Sequence, residues 1–203
     1  KQVFVAHGLP TPKWVTFRTK EEALAAKLPF DFPVVVKPSR EGSSVGISIP
    51  KTRADYEAAV ADAAKYAGVI LVEQFVKGRE VQGAVLDDEA LGAIEIVPAR
   101  EFYDYQAKSG ADSGTTYLCP APLPPDQYAR VNEVCRAAHR SLGGSGASRS
   151  DVIVTPDGQC LLLEVNTLPG MTATSLLPKI AAGRGIGFPQ LCDRLLQSAS
   201  LKS

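Results

Sequence analysis

Apolar residues along this chain cluster in segments whose spacing predicts short helices and strands. Tyr56, Val60, Ala63 and Ala67 recur at helical spacing behind Thr52, a residue that favours the N-cap position. Short, strongly apolar runs such as FPVVVK and VILVEQFV are typical of buried strands. For the first part of the chain the pattern predicts a helix over about 20–28 opened by a capping box, strands at 32–37 and 45–49, a helix over about 53–67 and a strand at 69–76.

The longer elements follow the turn Lys77-Gly78. Two strands joined by the acidic turn Asp87-Asp88 precede a long polar loop, then a helix with one apolar face, and then a hairpin. The predicted elements are strands near 80–87 and 91–97, a loop at 98–125, a helix over about 126–142 with Val131, Val134, Cys135, Ala138 and Leu142 on its inner face, a hairpin at 151–166 and helices over about 175–182 and 189–199. This order predicts an α+β fold with mostly antiparallel strand pairs. We expect two subdomains, 1–77 and 78–203.

Composition narrows the classes of function. The 203 residues are 45% hydrophobic and 22% charged, and 22 basic side chains balance 22 acidic ones, so no overall charge favours nucleic acid or an anionic membrane as partner. No apolar run approaches the roughly 20 residues of a membrane helix, and no signal peptide is visible. The four cysteines lack metal-ligand spacing and are expected to be free thiols in the reducing cytoplasm. Residues 1–9 read as the end of a helix, which predicts a fragment of a longer protein.

The hairpin at 151–166 brings two carboxylates together. With Asp157-Gly158 as a two-residue loop, residue 154 pairs with residue 161, and Asp151 lies directly opposite Glu164. Like charges that face each other across strands are destabilising, so a pKa must shift or a cation must bind. The carboxylates at this end of the hairpin are therefore a candidate metal site.

Two neighbours extend this site. Asn166 shares the face of Glu164, and two carboxylates with an amide oxygen are hard ligands that suit Mg²⁺ held together with substrate phosphates. Arg149 shares the face of Asp151, where a guanidinium can neutralise a transferring phosphoryl group. Solvated strand ends without an ion, and an internal salt bridge between Arg149 and Asp151, are the alternatives.

The segment KPSREGSSVG, residues 37–46, is a second candidate site. Small residues between strands let backbone N–H groups surround phosphate oxygens, and Lys37 at the end of a buried strand can reach a phosphate. The segment is not a Walker A loop, because no Lys-Ser/Thr pair follows Gly46. A plain hairpin turn is the alternative.

Four further positions carry chemistry. Glu73 ends an apolar strand, where its carboxylate and the strand backbone can recognise an adenine amino group, and Glu80 can accept from ribose hydroxyls. Gly170 allows close approach of the backbone to a ligand, and Ser175 opens a helix whose N–H groups can bind a carboxylate. Surface charges at the two glutamates and a simple N-cap at Ser175 are the alternatives.

Together these motifs resemble the D-alanine-D-alanine ligases, a family of the ATP-grasp superfamily. The resemblance is carried by the strings KPSREGSSVG, GREV, EFYDYQAK, CPAPL, SRSDV and LLLEVNTLPGMTATSLLP. It implies an ATP-grasp fold in which two subdomains with mostly antiparallel sheets sandwich ATP. It also implies Mg²⁺ (or Mn²⁺), and a reaction in which one D-alanine becomes an acyl phosphate and a second attacks it, for peptidoglycan precursor synthesis. A homodimer of the full-length protein would fit the family.

The resemblance implies a role for each candidate residue. Nucleotide would be bound by Lys37, Glu73, Glu80 and Lys108, with Lys108 on a mobile loop at 98–118 that closes as a lid. Metal would be held by Asp151, Glu164 and Asn166. Catalysis would involve Arg149, the Gly170 backbone N–H and Ser43, and the second substrate's carboxylate would be bound by Ser175 and Leu176.

Two features depart from the family's pattern. The family's N-terminal domain, with a Glu that holds the first D-alanine, has no counterpart in these motifs, so we expect a fragment that binds ATP without ligating by itself. Ser109 follows Lys108, where dipeptide-forming members usually carry Tyr. An acceptor other than D-alanine, such as D-lactate, D-serine or another amine, therefore stays open. A nucleotide-binding module that no longer ligates is the remaining alternative.

Overall fold

The computed structural model describes residues 1–42, 44–66, 68–98 and 114–199. Short helices and strands alternate along these ranges. In chain order they are α1 Gln2–Ala6, β1 Trp14–Phe17, α2 Lys20–Ala25, β2 Val34–Pro38, α3 Arg53–Ala63, β3 Ile70–Gln74, β4 Arg79–Leu86, β5 Glu89–Val97, β6 Thr116–Leu118, α4 Pro125–Ser141, β7 Ala147–Val154, β8 Cys160–Asn166, α5 Leu176–Gly183 and α6 Phe188–Ser198.

These elements form two compact units, each with its own sheet. The first unit contains Pro12–Val76 and a three-stranded sheet in the order β1-β3-β2. The second contains Lys1–Thr11, Lys77–Val97 and the chain from Thr116 onward, with a five-stranded sheet in the order β6-β5-β4-β7-β8. Every pair of neighbouring strands in these two sheets is antiparallel, which confirms the predicted α+β class.

The N-terminal segment differs from the expected grouping, which placed it with the first subdomain. Phe4 of α1 and Leu9 are buried in the core that α4 forms with the five-stranded sheet. The carbonyl of Pro10 also accepts a hydrogen bond from the Leu162 N–H at 2.8 Å. Burial of two apolar side chains therefore holds residues 1–11 on the second unit.

Helices α2 and α3 build the core of the first unit. Thr19 accepts from the Glu22 N–H at 3.1 Å, and the Glu22 carboxylate accepts from the Arg18 N–H at 2.8 Å, so a capping box opens α2. Thr52 caps α3 in the same way through the Asp55 N–H. The helix then buries one face against the sheet, and the buried side chains of this core include Ala23, Val34, Val36, Tyr56, Val60 and Val72.

The predicted strand at 45–49 is wrong over most of its length. Ser44 has φ 62° and Gly46 has φ 70°, left-handed values that interrupt an extended strand. Among the described residues, Ser48 forms an isolated bridge with Val36 through two N–H···O bonds of 2.9 Å, and the Pro50 carbonyl accepts from the Val34 N–H at 3.2 Å. The chain after Ser44 therefore contacts β2 again through this bridge and not through a regular strand.

In the second unit, α4 packs against the central strands of the five-stranded sheet, and α5 packs against β4 and β5. Val131, Val134, Cys135 and Ala138 are buried as predicted. Leu142 is 41% exposed, contrary to the prediction, because α4 ends at Ser141 and Leu142 is its C-cap. Gly83 lets β4 approach α4 closely, since a Cβ there would lie 2.4 Å from the Cys135 Sγ.

The predicted loop at 98–125 is shorter than expected at its C-terminal end. Thr116–Leu118 form β6, which pairs with β5 so that Tyr117 lies opposite Ile96. Residues 116–118 of the expected loop at 98–118 therefore belong to the sheet, where backbone hydrogen bonds join them to β5. Residues 99–113 lie outside the described residues.

Two other expectations from composition can be compared with the structure. The four cysteines are free thiols: Cys135 and Cys160 are buried, Cys192 is half-buried and Cys119 is exposed. Burial raises the pKa of the Cys135 thiol to about 12, which leaves it protonated and unreactive. Among the described helices, none is long and apolar enough to cross a membrane.

Candidate active site

The hairpin of β7 and β8 places Asp151 directly opposite Glu164, as predicted, and Arg149 opposite Asn166. Residues at directly opposed positions of an antiparallel ladder share one face of the sheet. The four candidate side chains therefore lie side by side at neighbouring positions, on the face away from α4.

Next to the turn, the register of the hairpin differs from the predicted one. Val154 pairs with Cys160 and not with Leu161, because the turn closes through a bond from the Thr155 N–H to the Gln159 carbonyl at 2.9 Å. The register slips by one residue there. A bulge at Leu163 then adds one residue to β8 and restores the predicted pair.

Asp151 is a buried carboxylate, 6% exposed, between two donors. Its Oδ2 accepts from the Gln82 Nε2 at 2.9 Å, and its Oδ1 lies 3.5 Å from the Arg149 Nε. The salt bridge weighed as an alternative is thus present. A buried carboxylate needs such partners, because an isolated charge in an apolar interior is strongly destabilising. Glu164, in contrast, is exposed.

Asn166 is oriented by the backbone. Its Oδ1 accepts from the Leu168 N–H at 3.0 Å, and an amide oxygen retains a second lone pair for another partner. Within the described ranges no cluster of three or more His, Cys, Asp or Glu side chains forms. A cation at Asp151, Glu164 and Asn166 would therefore complete its coordination with oxygens of substrate or water, as Mg²⁺ usually does. The donor set fits Mg²⁺.

Glu80 is brought to the same face of the sheet. It lies on β4 opposite Ile153, two residues before Gln82, which lies opposite Asp151. Side chains two residues apart on a strand share a face, so Glu80 and Asp151 line one surface of the second unit.

In the first unit, Lys37 and Glu73 form a buried ion pair. The Lys37 Nζ lies 2.6 Å from the Glu73 Oε2, and their side chains are 15% and 3% exposed. The register sets Val35 opposite Glu73 and Lys37 opposite Leu71, so the two charges are diagonal neighbours on one face. The sequence analysis treated these residues as separate candidates and missed their contact, because the pairing of β2 with β3 is not readable from either strand.

Gly170 and Ser175 pack against each other before α5. A Cβ at Gly170 would lie 2.7 Å from the Ser175 Oγ, so glycine is needed for this close approach. Ser175 precedes α5, but its side chain does not cap the helix and instead accepts from the Thr172 N–H at 3.0 Å. Leu176 begins the helix and is buried.

Ser43 and Lys108, together with Ser109, lie outside the described residues. Gln82, which donates a hydrogen bond to the candidate residue Asp151, was not among the residues predicted from the sequence. A polar residue inside the apolar run EVQGAVL was the signal that could have drawn attention to it.

The described residues form two antiparallel sheets in separate units, with a buried Lys–Glu pair on one and opposed carboxylates on the other, which agrees with the ATP-grasp fold that the resemblance implies. The comparisons with known proteins give the family. The chain belongs to the D-alanine-D-alanine ligase family, whose model for the "D-ala D-ala ligase C-terminus" matches residues 3–197.

The chain is similar over its whole length to proteins named D-alanine–D-alanine ligase. It is 52% identical to one from Geotalea uraniireducens (strain Rf4) over 202 residues, and 57% identical to one from Anaeromyxobacter sp. (strain K) over 205 residues. The chain spans 65% and 66% of the length of these relatives.

Solved structures agree on the fold. A D-alanine–D-alanine ligase from Bacillus anthracis, complexed with ATP, matches 97% of this chain with a TM-score of 0.78 and 29% identity, over 62% of its own length. The VanG D-Ala:D-Ser ligase from Enterococcus faecalis matches 97% of this chain with a TM-score of 0.83 and 34% identity, over 59% of its own length.

Proposed function

We propose that this chain is the nucleotide-binding and catalytic part of an ATP-dependent D-alanine–D-alanine ligase. The observation that carries the proposal is the ladder that sets Asp151 against Glu164 and Arg149 against Asn166. The relatives named D-alanine–D-alanine ligase support the choice of substrate. Because the chain spans about two thirds of these relatives, the complete reaction is proposed for the longer protein.

Asp151, Glu164 and Asn166 would hold Mg²⁺, or Mn²⁺ in its place. When bound, the cation supplies positive charge to the phosphate oxygens during transfer. The Oδ2 of Asp151 accepts a hydrogen bond from the Gln82 amide at 2.9 Å, which orients this carboxylate. The exposed Glu164 would complete the pair of carboxylates.

Arg149 would stabilise negative charge on the reacting groups. A carboxylate oxygen of the first D-alanine bonds to the γ-phosphorus, and ADP leaves. The amine of the second D-alanine then bonds to the carbonyl carbon, loses a proton, and phosphate leaves. Arg149 is half-buried, and its Nε lies 3.5 Å from the Asp151 Oδ1 but makes no hydrogen bond to any described residue, so this N–H would be available to a phosphoryl or carbonyl oxygen. The Gly170 N–H would assist at the carbonyl oxygen.

Lys37 and Glu73 would bind the nucleotide, Lys37 through phosphate and Glu73 near the adenine. Their low exposure strengthens both interactions, because charges act more strongly away from water. Glu80 would accept from the ribose hydroxyls. Lys108 and Ser43 keep the roles that the resemblance implies, as groups on the lid and on the phosphate loop.

The start of α5 would bind the carboxylate of the acceptor. Ser175 does not use its side chain to cap this helix, so the first backbone N–H groups are not occupied by its hydroxyl. Leu176 would lie beside the acceptor. We also propose a homodimer of the longer protein and a cytoplasmic location, where ATP is available.

A second candidate function is ligation to a different acceptor. One structural neighbour, with a TM-score of 0.83 and 34% identity, is named a D-Ala:D-Ser ligase, so D-serine is an acceptor to compare with D-alanine. Ser109, in the place where the family usually has Tyr, leaves D-lactate, D-serine and other amines open as acceptors.

One assay tests both candidates. The full-length protein is incubated with ATP and Mg²⁺ and with D-alanine, D-serine, D-lactate or other D-amino acids, and phosphate release and product mass are measured. We expect D-alanyl-D-alanine. No phosphate release with D-alanine would overturn the leading proposal, and faster release with D-alanine plus D-serine would favour the second.

A further inference from the structure

Gln82 is a polar side chain in the middle of β4 whose burial is not explained by packing. It is 2% exposed and lies between Ile94 of β5 and Asp151 of β7. Its Nε2 donates to the Asp151 Oδ2, whereas its Oε1 is buried and accepts no hydrogen bond from the part of the chain that the structure describes. A buried acceptor without a donor destabilises a fold, so the hydrogen bond that the Gln82 amide donates to Asp151 is the interaction that accounts for a glutamine at this position.

We propose that Gln82 is a positioning residue for the metal-binding carboxylate of Asp151, an inference that rests on the proposed function. The two residues lie opposite each other in the β4–β7 ladder, and this pairing brings the Gln82 Nε2 within 2.9 Å of the Asp151 Oδ2. Rotation of the carboxylate about its Cβ–Cγ bond would break this contact. Arg149 lies farther away, at 3.5 Å from the other oxygen, so the Gln82 amide is the closer donor.

The orientation of Asn166 supports this assignment. The Leu168 N–H donates to its amide oxygen at 3.0 Å, so two of the three proposed ligands, Asp151 and Asn166, are each oriented by a donor that does not bind the cation itself. Such outer partners fix the direction of ligand lone pairs, and their removal typically weakens metal affinity by about 10–100-fold. Gln82 gives Asp151 the same kind of support.

The test replaces Gln82 by a residue of similar length without an amide. Gln82→Met removes the donor, and Leu86→Met is the matched control. Leu86 is fully buried on the same strand and the same face, four residues further on, but it lies opposite Ala147. Both variants are made in the full-length protein. Mn²⁺ binding in the presence of ATP is measured by electron paramagnetic resonance, ATP binding is measured in EDTA, and the thermal unfolding midpoint is measured without metal.

We expect Gln82→Met to bind Mn²⁺ about 10–100-fold more weakly, with unchanged ATP binding in EDTA. The Mg²⁺ concentration for half-maximal turnover rises by the same factor. Its unfolding midpoint falls, because losing the donor to the buried Asp151 carboxylate outweighs removal of the unsatisfied Oε1. Leu86→Met leaves all three quantities near their wild-type values, since Leu-to-Met exchanges conserve volume.

Two results would overturn the role of Gln82: wild-type Mn²⁺ affinity in Gln82→Met, or an equal loss in Leu86→Met, which would make packing the cause. If Gln82→Met does not fold, Gln82→Asn, one methylene shorter and still polar, is measured against the same criteria. Failure of the wild-type protein to bind Mn²⁺ with ATP would instead remove the proposed metal site, and the role of Gln82 with it.

Discussion

Replacing Asp151 by Asn separates the catalytic from the structural role of the opposed carboxylates. The variant keeps the shape of the side chain and an oxygen that can still accept from the Gln82 Nε2. It removes one of the two charges that the β7–β8 ladder sets face to face at Asp151 and Glu164. We therefore expect a moderate loss of stability and a much larger loss of turnover.

The magnitude follows from three contributions to stability. Exchanging a charge-assisted hydrogen bond for a neutral one costs about 1 kcal/mol. Losing the attraction of Arg149, at 3.5 Å, is a further cost of about 1 kcal/mol for a half-buried pair. Removing the repulsion from Glu164 returns about 0.2–1 kcal/mol. The sum is a destabilisation of about 1–2 kcal/mol, or a shift of roughly 2–8 °C in the unfolding midpoint of a domain of this size.

Turnover should fall far more than stability, by at least about 10³-fold, because a direct metal ligand is expected to matter more than the outer partners whose loss costs about 10–100-fold. Phosphate release is measured with ATP, D-alanine and saturating Mg²⁺, and unfolding is followed by circular dichroism in the full-length protein. Glu164→Gln is the companion variant. Turnover within tenfold of the wild type in either variant would refute the metal role, whatever the unfolding midpoint.

Three further predictions concern buried residues of the two units. Lys37→Met should destabilise the protein by about 3–5 kcal/mol in urea unfolding, because the buried Glu73 carboxylate loses its partner at 2.6 Å. Adding Glu73→Gln should restore stability but not ATP affinity. Unchanged stability of the single variant would contradict the ion pair. Gly83→Ala should lower the free energy of unfolding by about 1–3 kcal/mol, since its Cβ would lie 2.4 Å from the Cys135 Sγ. Adding Cys135→Ala should recover part of that loss. If it does not, the contact with Cys135 is not the source of the strain. Burial lowers the pKa of His139 below its ordinary 6.5, so the stability that the neutral imidazole contributes is complete above pH 6.5 and is lost as the pH falls toward the lowered pKa. The free energy of unfolding of His139→Gln should therefore fall less steeply over that range. Parallel pH dependences of the free energy of unfolding in the two proteins would refute the lowered pKa.

Much of the fold could be predicted because it depends on local spacing. The caps at Thr19 and Thr52 formed where the sequence indicated, since a side chain three residues from its backbone partner needs no distant help. The apolar face of α4 was also predictable from its 3.6-residue period. Its last member, Leu142, was wrong because the helix ended one residue earlier.

The register of the β7–β8 hairpin could be predicted only in part from the residues of the hairpin itself. The Asp151–Glu164 pair was predicted from an Asp-Gly turn and a constant register. The turn in fact closes one residue differently, and a bulge at Leu163 compensates. A bulge depends on packing against neighbouring strands, which hairpin residues alone do not encode. The prediction was confirmed although one of its steps was wrong.

The sequence by itself determined the class of elements, the helix caps, the opposed carboxylates and the resemblance that led to the family. Only the tertiary structure decided which distant residues meet. It brought Glu73 to Lys37 and Gln82 to Asp151 through strand pairs 36 and 69 residues apart, and it placed Phe4 in the core of the second unit. The spacing of side chains within a helix or strand follows from backbone geometry. Which strands pair depends on which apolar faces bury each other, and that depends on residues far apart in the chain.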